Sequence, residues 1–277
     1  TNIGVSHIGN LGSRENIAKE KGHIVKYVGT SHDGKLYICG NGDMKQITGE
    51  NVPYSLCRVK CPICYYGTEA DCEVRATDLT VIETGQKFVY HGRQTGEVEL
   101  SVMGGHNVNN ALVAMALGEQ FGVPFADAVQ ALKEYRPFSM RGERKDAHGY
   151  HVIDDTYNAS PDSMKSALRV LEHSRCDGKK IAILGDMYEL GEDSDRQHFG
   201  VGLFAGGLKI DTLIAIGTHA RKICEGADGG NPQTAYYEKK EDFYQDKDRF
   251  IENGDIILVK GSRGMKMEQV VENILKQ

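Results

Sequence analysis

Between Asp154 and Pro161 the chain places carboxylates, a phenol, an amide and hydroxyls in one short run, Asp154-Asp155-Thr156-Tyr157-Asn158-Ala159-Ser160-Pro161. A carboxylate can meet a cation, while a phenol and an amide can orient a polar ligand. The run sits between an apolar strand, Tyr150 to Ile153, and a helix in which Met164, Ala167, Leu168 and Leu171 recur at helical spacing. Ser160 reads as the N-cap of that helix and Pro161 as its first residue. Asp155, Tyr157 and Asn158 are thereby held at the carboxyl edge of a strand, where α/β enzymes carry their chemistry.

Other polar residues have the same relation to strands. Strands are expected at His151 to Asp154, Ile181 to Leu184, Thr212 to Ile216, Thr234 to Tyr237 and Ile256 to Lys260, alternating with helices. Such alternation predicts a parallel sheet covered on both faces. Asp155, Gly185-Asp186, Gly217-Thr218 and Lys260-Gly261-Ser262 each follow a strand and should open onto one edge. Any one of them could be only a turn glycine or a helix cap. Together, with Lys260 after the apolar run Ile256-Ile257-Leu258-Val259, they point to a small-molecule site.

The preceding part of the chain reads differently. Asn107 to Phe121 is an Ala- and Leu-rich helix, and Pro124 opens another with Phe125, Ala128, Leu132 and Tyr135 on one face; Pro137 closes it. Residues 26 to 103 carry turn signals at Asp33-Gly34, Thr84-Gly85 and Gln94-Thr95-Gly96, and read as antiparallel strands such as Phe88 to His91 and Val98 to Val102. Ser13 to Ile24 reads as a short helix with Ile17 and Ile24 on one side.

The chain has 277 residues, 40% of them hydrophobic, with a formal net charge of -6. That length allows two domains, and that charge argues against a binder of nucleic-acid backbones. Small-molecule partners and no nucleic acid are expected. No apolar run approaches the ~20 residues of a membrane span, and no signal peptide is legible, so a cytoplasmic protein without membrane insertion is expected. The 7 cysteines read as reduced thiols. Cys57, Cys61, Cys64 and Cys72 include a Cys-Pro-Ile-Cys spacing used by zinc sites, but no second such spacing supports a metal knuckle. The start at Thr1-Asn2-Ile3-Gly4-Val5 reads as the end of a strand and suggests a fragment.

In five segments the chain resembles the Mur ligase family: Thr1-Asn2-Ile3-Gly4-Val5-Ser6-His7-Ile8, Gly105-His106-Asn107-Val108-Asn109-Asn110-Ala111-Leu112, Asp155-Thr156-Tyr157-Asn158-Ala159-Ser160-Pro161, Leu184-Gly185-Asp186-Met187-Tyr188-Glu189-Leu190-Gly191 and Val259-Lys260-Gly261-Ser262-Arg263. The resemblance is strongest to the branch that joins D-alanyl-D-alanine to UDP-N-acetylmuramoyl-tripeptide in peptidoglycan synthesis, using ATP and Mg2+ and passing through an acyl phosphate. It implies an α/β fold in which residues 1–138 are the rear of a central ATPase domain, with an antiparallel β region. Residues 139–277 would be a carboxyl-terminal Rossmann-like, doubly wound parallel-sheet domain for the amino acid or dipeptide. No Gly-x-x-x-x-Gly-Lys-Ser/Thr phosphate loop occurs in the sequence, so these residues alone are expected to be inactive. A monomer is expected. The alternatives are another ligase of the same superfamily, adding a single amino acid or glutamates to a folate, and a non-catalytic binding module.

The resemblance also implies roles. His106, Asn107 and Asn110 would approach the adenine, although Asn107 could instead cap its helix. Arg141 would meet an ATP phosphate, as an always-charged fork suits; Asp155 would reach the nucleotide or its magnesium, and Tyr157 the ribose, with Asn158 shaping the loop. His7 and Lys21 would lie at the metal, Lys21 as a carbamate, though Gly9 and His23 stand where the family is expected to carry Glu. Asp186, Lys260, Ser262 and Arg263 would form the dipeptide pocket, since an amine and a carboxylate arriving together need an acceptor and a cation. His198 reads as a helix residue without a role at the site.

Overall fold

The structure is a computed structural model describing residues 2–5, 8–28, 34–51, 60–82 and 85–276. The chain divides into two compact units, one of Thr1–Val5 and Leu11–Arg136, the other of Ser6–Asn10 and Pro137–Gln277. A single turn, α1 (Ile8–Leu11), is followed by α2 (Arg14–Gly22) and α3 (Ile24–Val28). The expected helix from Ser13 to Ile24 is therefore interrupted at His23, whose backbone N–H reaches only three residues back, to the Glu20 carbonyl. That shortened turn takes Ile24 off the face of Ile17: Ile17 is buried and Ile24 is 60% exposed.

The first unit continues with β1 (Leu36–Cys39), α4 (Met44–Asn51), β2 (Ile63–Gly67), β3 (Val74–Ile82), β4 (Gly85–His91), β5 (Thr95–Leu100), α5 (Gly105–Gln120) and α6 (Phe125–Glu134). Its sheet has the order β1-β2-β3-β4-β5. The expectation of antiparallel strands holds for β3, β4 and β5, with Phe88 opposite Val98. It is corrected for β1, β2 and β3, which pair in parallel. Alternation of apolar and polar residues fixes which face a side chain takes, not the direction of the strand. Direction follows from the connection, here the helix α4 between β1 and β2.

Phe88, Tyr90, Val98 and Leu100 pack with Val108, Leu112 and Met115 of α5, and Phe125, Ala128 and Leu132 of α6 lie against this core. Tyr135, expected on the same face, lies beyond the end of α6 and is exposed. Cys61 and Cys64 enter different clusters, Cys61 beside Val25 and Leu36, and Cys64 in the core of α5. Cys57 lies outside the described residues. Burial raises the thiols of Cys64 and Cys72, as expected for inert core cysteines.

The second unit runs β6 (Glu143–Ala147), β7 (Tyr150–Asp155), α7 (Pro161–His173), β8 (Lys180–Gly185), α8 (Ser194–Gly206), β9 (Thr212–Ile216), α9 (Arg221–Ala227), β10 (Gln233–Tyr237), α10 (Lys240–Asp246), β11 (Ile256–Lys260) and α11 (Glu268–Leu275). The sheet order is β10-β9-β8-β11-β7-β6, with every pairing parallel except that of β6 with β7. Alternate residues feed opposite faces. Ala182 and Leu184 meet Met164 and Leu168 of α7 and Val201 of α8, whereas Ile181 and Ile183 meet Phe243 of α10 and Val270 and Ile274 of α11. This is the doubly covered parallel sheet that the alternation of elements predicts. Among the described residues no helix is long and apolar enough to cross a membrane.

Candidate functional site

The order of strands decides which loops are neighbours. β11 is inserted between β7 and β8, so Lys260 sits opposite Asp155 on one side and opposite Leu184 on the other. Residues 105 apart in the chain are thereby brought together. Lys260 Nζ donates to Asp155 Oδ2 at 2.6 Å and to the Asn158 carbonyl at 2.9 Å. A lysine with 3% exposure needs such partners, because an unpaired ammonium in that position would be costly.

The same kind of link joins the next loops. Ser262 Oγ accepts the Tyr188 N–H at 2.8 Å, and the Ser262 N–H donates to the Asp186 carbonyl at 2.9 Å. Asp186 Oδ1 in turn accepts the Ala220 N–H at 2.6 Å, beyond the end of β9. Gly217 makes this possible: its φ is +126°, and a Cβ there would lie 2.6 Å from Asp186 Oδ1. The loops after β7, β11, β8 and β9 are thus tied side by side along the carboxyl edge.

On the β7 loop, Asn158 Oδ1 accepts the Ala159 N–H at 2.9 Å, and the Arg263 N–H approaches it at 3.4 Å. Ser160 caps α7 through a reciprocal capping box with Ser163, and Pro161 occupies the first helical turn. Tyr157 is half exposed, and the Arg141 guanidinium lies over its ring. Arg263 pairs with Glu268 Oε1 at 3.2 Å and touches Met140 Sδ at 3.3 Å. Asp155, Tyr157, Asn158, Arg141, Lys260, Ser262 and Arg263 therefore gather in one neighbourhood, with Asp186 linked through Ser262.

His198 does lie in a helix, α8, fully buried. Its Nδ1 faces the Ser194 carbonyl at 2.7 Å and its Nε2 accepts the Met187 N–H at 2.9 Å. It braces the loop that carries Asp186. Burial pushes its basicity below that of an ordinary histidine, against the opposing pull of the Ser194 carbonyl and the Asp186 charge.

Lys145 supports the site and was not singled out by sequence reasoning. Its Nζ donates to Asp154 Oδ2 at 2.6 Å, while Thr156 Oγ1 donates to Asp154 Oδ1 at 2.6 Å. Burial alone would lower the lysine; the hydrogen bond and charge of Asp154, with Glu143, outweigh it and raise it above the ordinary value. The available signal was His148-Gly149, with φ of 50° and 84°. Two such residues make a tight hairpin turn, which identifies the charged segment before it as the partner strand of β7.

In the first unit the helix α5 begins after Gly104, so Asn107 is not its cap; Asn107 Nδ2 donates to the Met103 carbonyl at 2.8 Å. His106 and Asn110 are exposed on the same helix. Lys21 is exposed and donates to the Asn2 carbonyl at 2.9 Å. His7 lies outside the described residues, and His23 is exposed; Gly9 belongs to the second unit, where its N–H donates to the Glu189 carbonyl at 2.9 Å. Among the described residues no group of three or more His, Cys, Asp and Glu is placed to hold a metal ion.

Residues 1–118 match the family described as the Mur ligase middle domain, and residues 140–263 the family described as the Mur ligase, glutamate ligase domain. The UDP-N-acetylmuramoyl-tripeptide--D-alanyl-D-alanine ligase of Bacillus subtilis is 36% identical over the whole chain, which spans 58% of that protein. A crystal structure of MurF from Acinetobacter baumannii superposes with a TM-score of 0.85 at 25% identity, covering 100% of this chain and 58% of that one. The MurF ligase of Thermotoga maritima, solved in complex with ADP, shares the fold with a TM-score of 0.80 at 21% identity, covering 99% of this chain and 60% of that one.

Proposed function

Because this chain belongs to the Mur ligase family, we propose that it is part of a longer ATP-dependent ligase that adds D-alanyl-D-alanine to UDP-N-acetylmuramoyl-tripeptide in the cytoplasm. Residues 1–138 would be the rear of the ATPase domain and 139–277 the domain that receives the dipeptide. The observation that carries the proposal is the cluster of Asp155, Asn158, Arg141, Lys260 and Arg263 at one sheet edge, in a chain alike over its full length to enzymes named for this reaction.

ATP would supply the phosphoryl group that activates the tripeptide carboxylate for attack by the dipeptide amine. Arg141, a cation resting on the Tyr157 ring, fits a phosphate, whereas Asp155, engaged by Lys260 through Oδ2, fits a cation that accompanies it. Catalysis of this type depends chiefly on placing such groups against the charge that develops. In the first unit, His106, Asn107 and Asn110 would face the adenine, with Asn110 the most open of the amides to a ligand. Arg263 would hold the dipeptide carboxylate and Asp186 its amine, with the buried Ser262 beside them. Among the described residues no group of three or more acids, histidines or cysteines forms a magnesium shell, and Lys21 donates a hydrogen bond to the Asn2 carbonyl; Asp155 is the acid that would reach the ion.

The test is a turnover assay on the full-length protein with ATP and UDP-N-acetylmuramoyl-tripeptide. Phosphate release that requires D-alanyl-D-alanine, with the amide product seen by mass spectrometry, is the expected result. Release driven by a single amino acid or by glutamate would move the chain to another branch, and no release with any amine would refute ligase activity.

A further inference from the structure

Within that proposed function, we infer that Lys260 is a positioning residue for the nucleotide-facing loop Asp155–Asn158 and not a ligand of the dipeptide. An ammonium has three N–H donors. Here they find Asp155 Oδ2 at 2.6 Å, the Asn158 carbonyl at 2.9 Å and the Asp155 carbonyl at 3.4 Å. All three acceptors lie on one loop. The side chain of Lys260 is 3% exposed against 23% for Asp155, so an incoming carboxylate meets Asp155 before it meets the lysine. To bind Lys260 it would also have to displace Asp155 and leave that partly buried carboxylate without its cation, which is unfavourable.

What the lysine holds is specific. By engaging Oδ2 it fixes the rotation of the Asp155 carboxylate and leaves Oδ1 for a ligand. By holding the carbonyls of Asp155 and Asn158 it spans the segment that carries Tyr157, whose N–H donates to the Met140 carbonyl at 3.0 Å and whose ring supports Arg141. Lys260 therefore acts on the nucleotide through Asp155 and Tyr157, from the neighbouring strand.

The test is a double-mutant cycle in the full-length enzyme with Lys260→Met, Asp155→Asn and the pair. Lys260→Met should raise the KM for ATP or lower kcat by about tenfold while the KM for D-alanyl-D-alanine stays within about twofold. The double variant should be no worse than Asp155→Asn alone, because the lysine works through that carboxylate. A selective rise in the dipeptide KM, or losses that multiply in the double variant, would overturn the inference. Thermal melts accompany the kinetics: the double variant leaves no unpaired charge and should fold even if Lys260→Met does not, and failure of both to fold would make the lysine a residue of the fold alone. If the wild-type enzyme ligates nothing, the proposed function fails instead, and ATP binding by the same four proteins still reads the coupling.

Discussion

The guanidinium carbon of Arg141 lies 3.9 Å from the centre of the Tyr157 ring. A cation from the segment after Pro137 thus rests on an aromatic face supplied by the loop after β7. Such a contact at a partly exposed site is worth about 0.5–1 kcal/mol, and it also limits the positions the guanidinium can sample. Tyr157→Leu should weaken ATP binding by the full-length enzyme about two- to fivefold, whereas Tyr157→Phe should match the wild type. Equal losses in both variants would show that the phenol, not the ring, matters to the nucleotide.

Asn110 is exposed within α5, a position where an amide contributes little to the helix. Asn110→Ala should therefore leave the melting temperature nearly unchanged and weaken nucleotide binding in the full-length enzyme. Calorimetric titration with ATP reads this directly, and equal affinity would remove Asn110 from the adenine site.

Gly217 combines a φ of +126° with the close approach to Asp186. An added methyl group must strain the backbone and press on the carboxylate that holds Ala220, so Gly217→Ala should destabilise the second unit by about 1–3 kcal/mol. Denaturant unfolding with an unchanged midpoint would contradict the brace between the β8 and β9 loops.

His198 predicts a pH dependence. Burial lowers its folded-state basicity, so the unfolded chain takes up the proton first as pH falls through about 6.5. Stability is therefore lost below that value, by at most ~1.4 kcal/mol per pH unit from this group, until the folded value is passed. Asp186, Asp195 and His219 face the same ring and modulate the fall. Melting curves from pH 7.5 to 5 should be less steep in His198→Gln than in the wild type. Glu172 and Asp146, held below the ordinary carboxylate range, lose their own contributions at more acid pH in both proteins. Parallel pH profiles would rule out the buried neutral imidazole.

The sequence made β11 legible to the residue, because an apolar run ending in Lys-Gly-Ser has strand length and a turn behind it. Ser160 was equally plain, since the cap, the proline and the apolar spacing of α7 agree. β6 was not, because Glu143-Arg144-Lys145-Asp146-Ala147 has no apolar period; it is an edge strand whose charges suit solvent and discourage further pairing. The parallel course of β1, β2 and β3 escaped for a different reason, since pairing direction is a property of the path between strands. At the site, residue types were legible and partnerships were not. That Lys260 belongs to Asp155 depends on β11 entering the sheet between β7 and β8, a choice made by the whole sheet and not by any local spacing.

The ties among Asp155, Lys260, Ser262, Asp186 and Ala220 make the four adjoining loops behave as a single jig. Lengthening one of them by a residue would pull its neighbours out of line, so the backbone here has little freedom to change. The freedom lies in the exposed side chains that project from the jig, Arg263 and Tyr188 foremost. Exchanging those tips is the economical way to retune selectivity without retooling the frame.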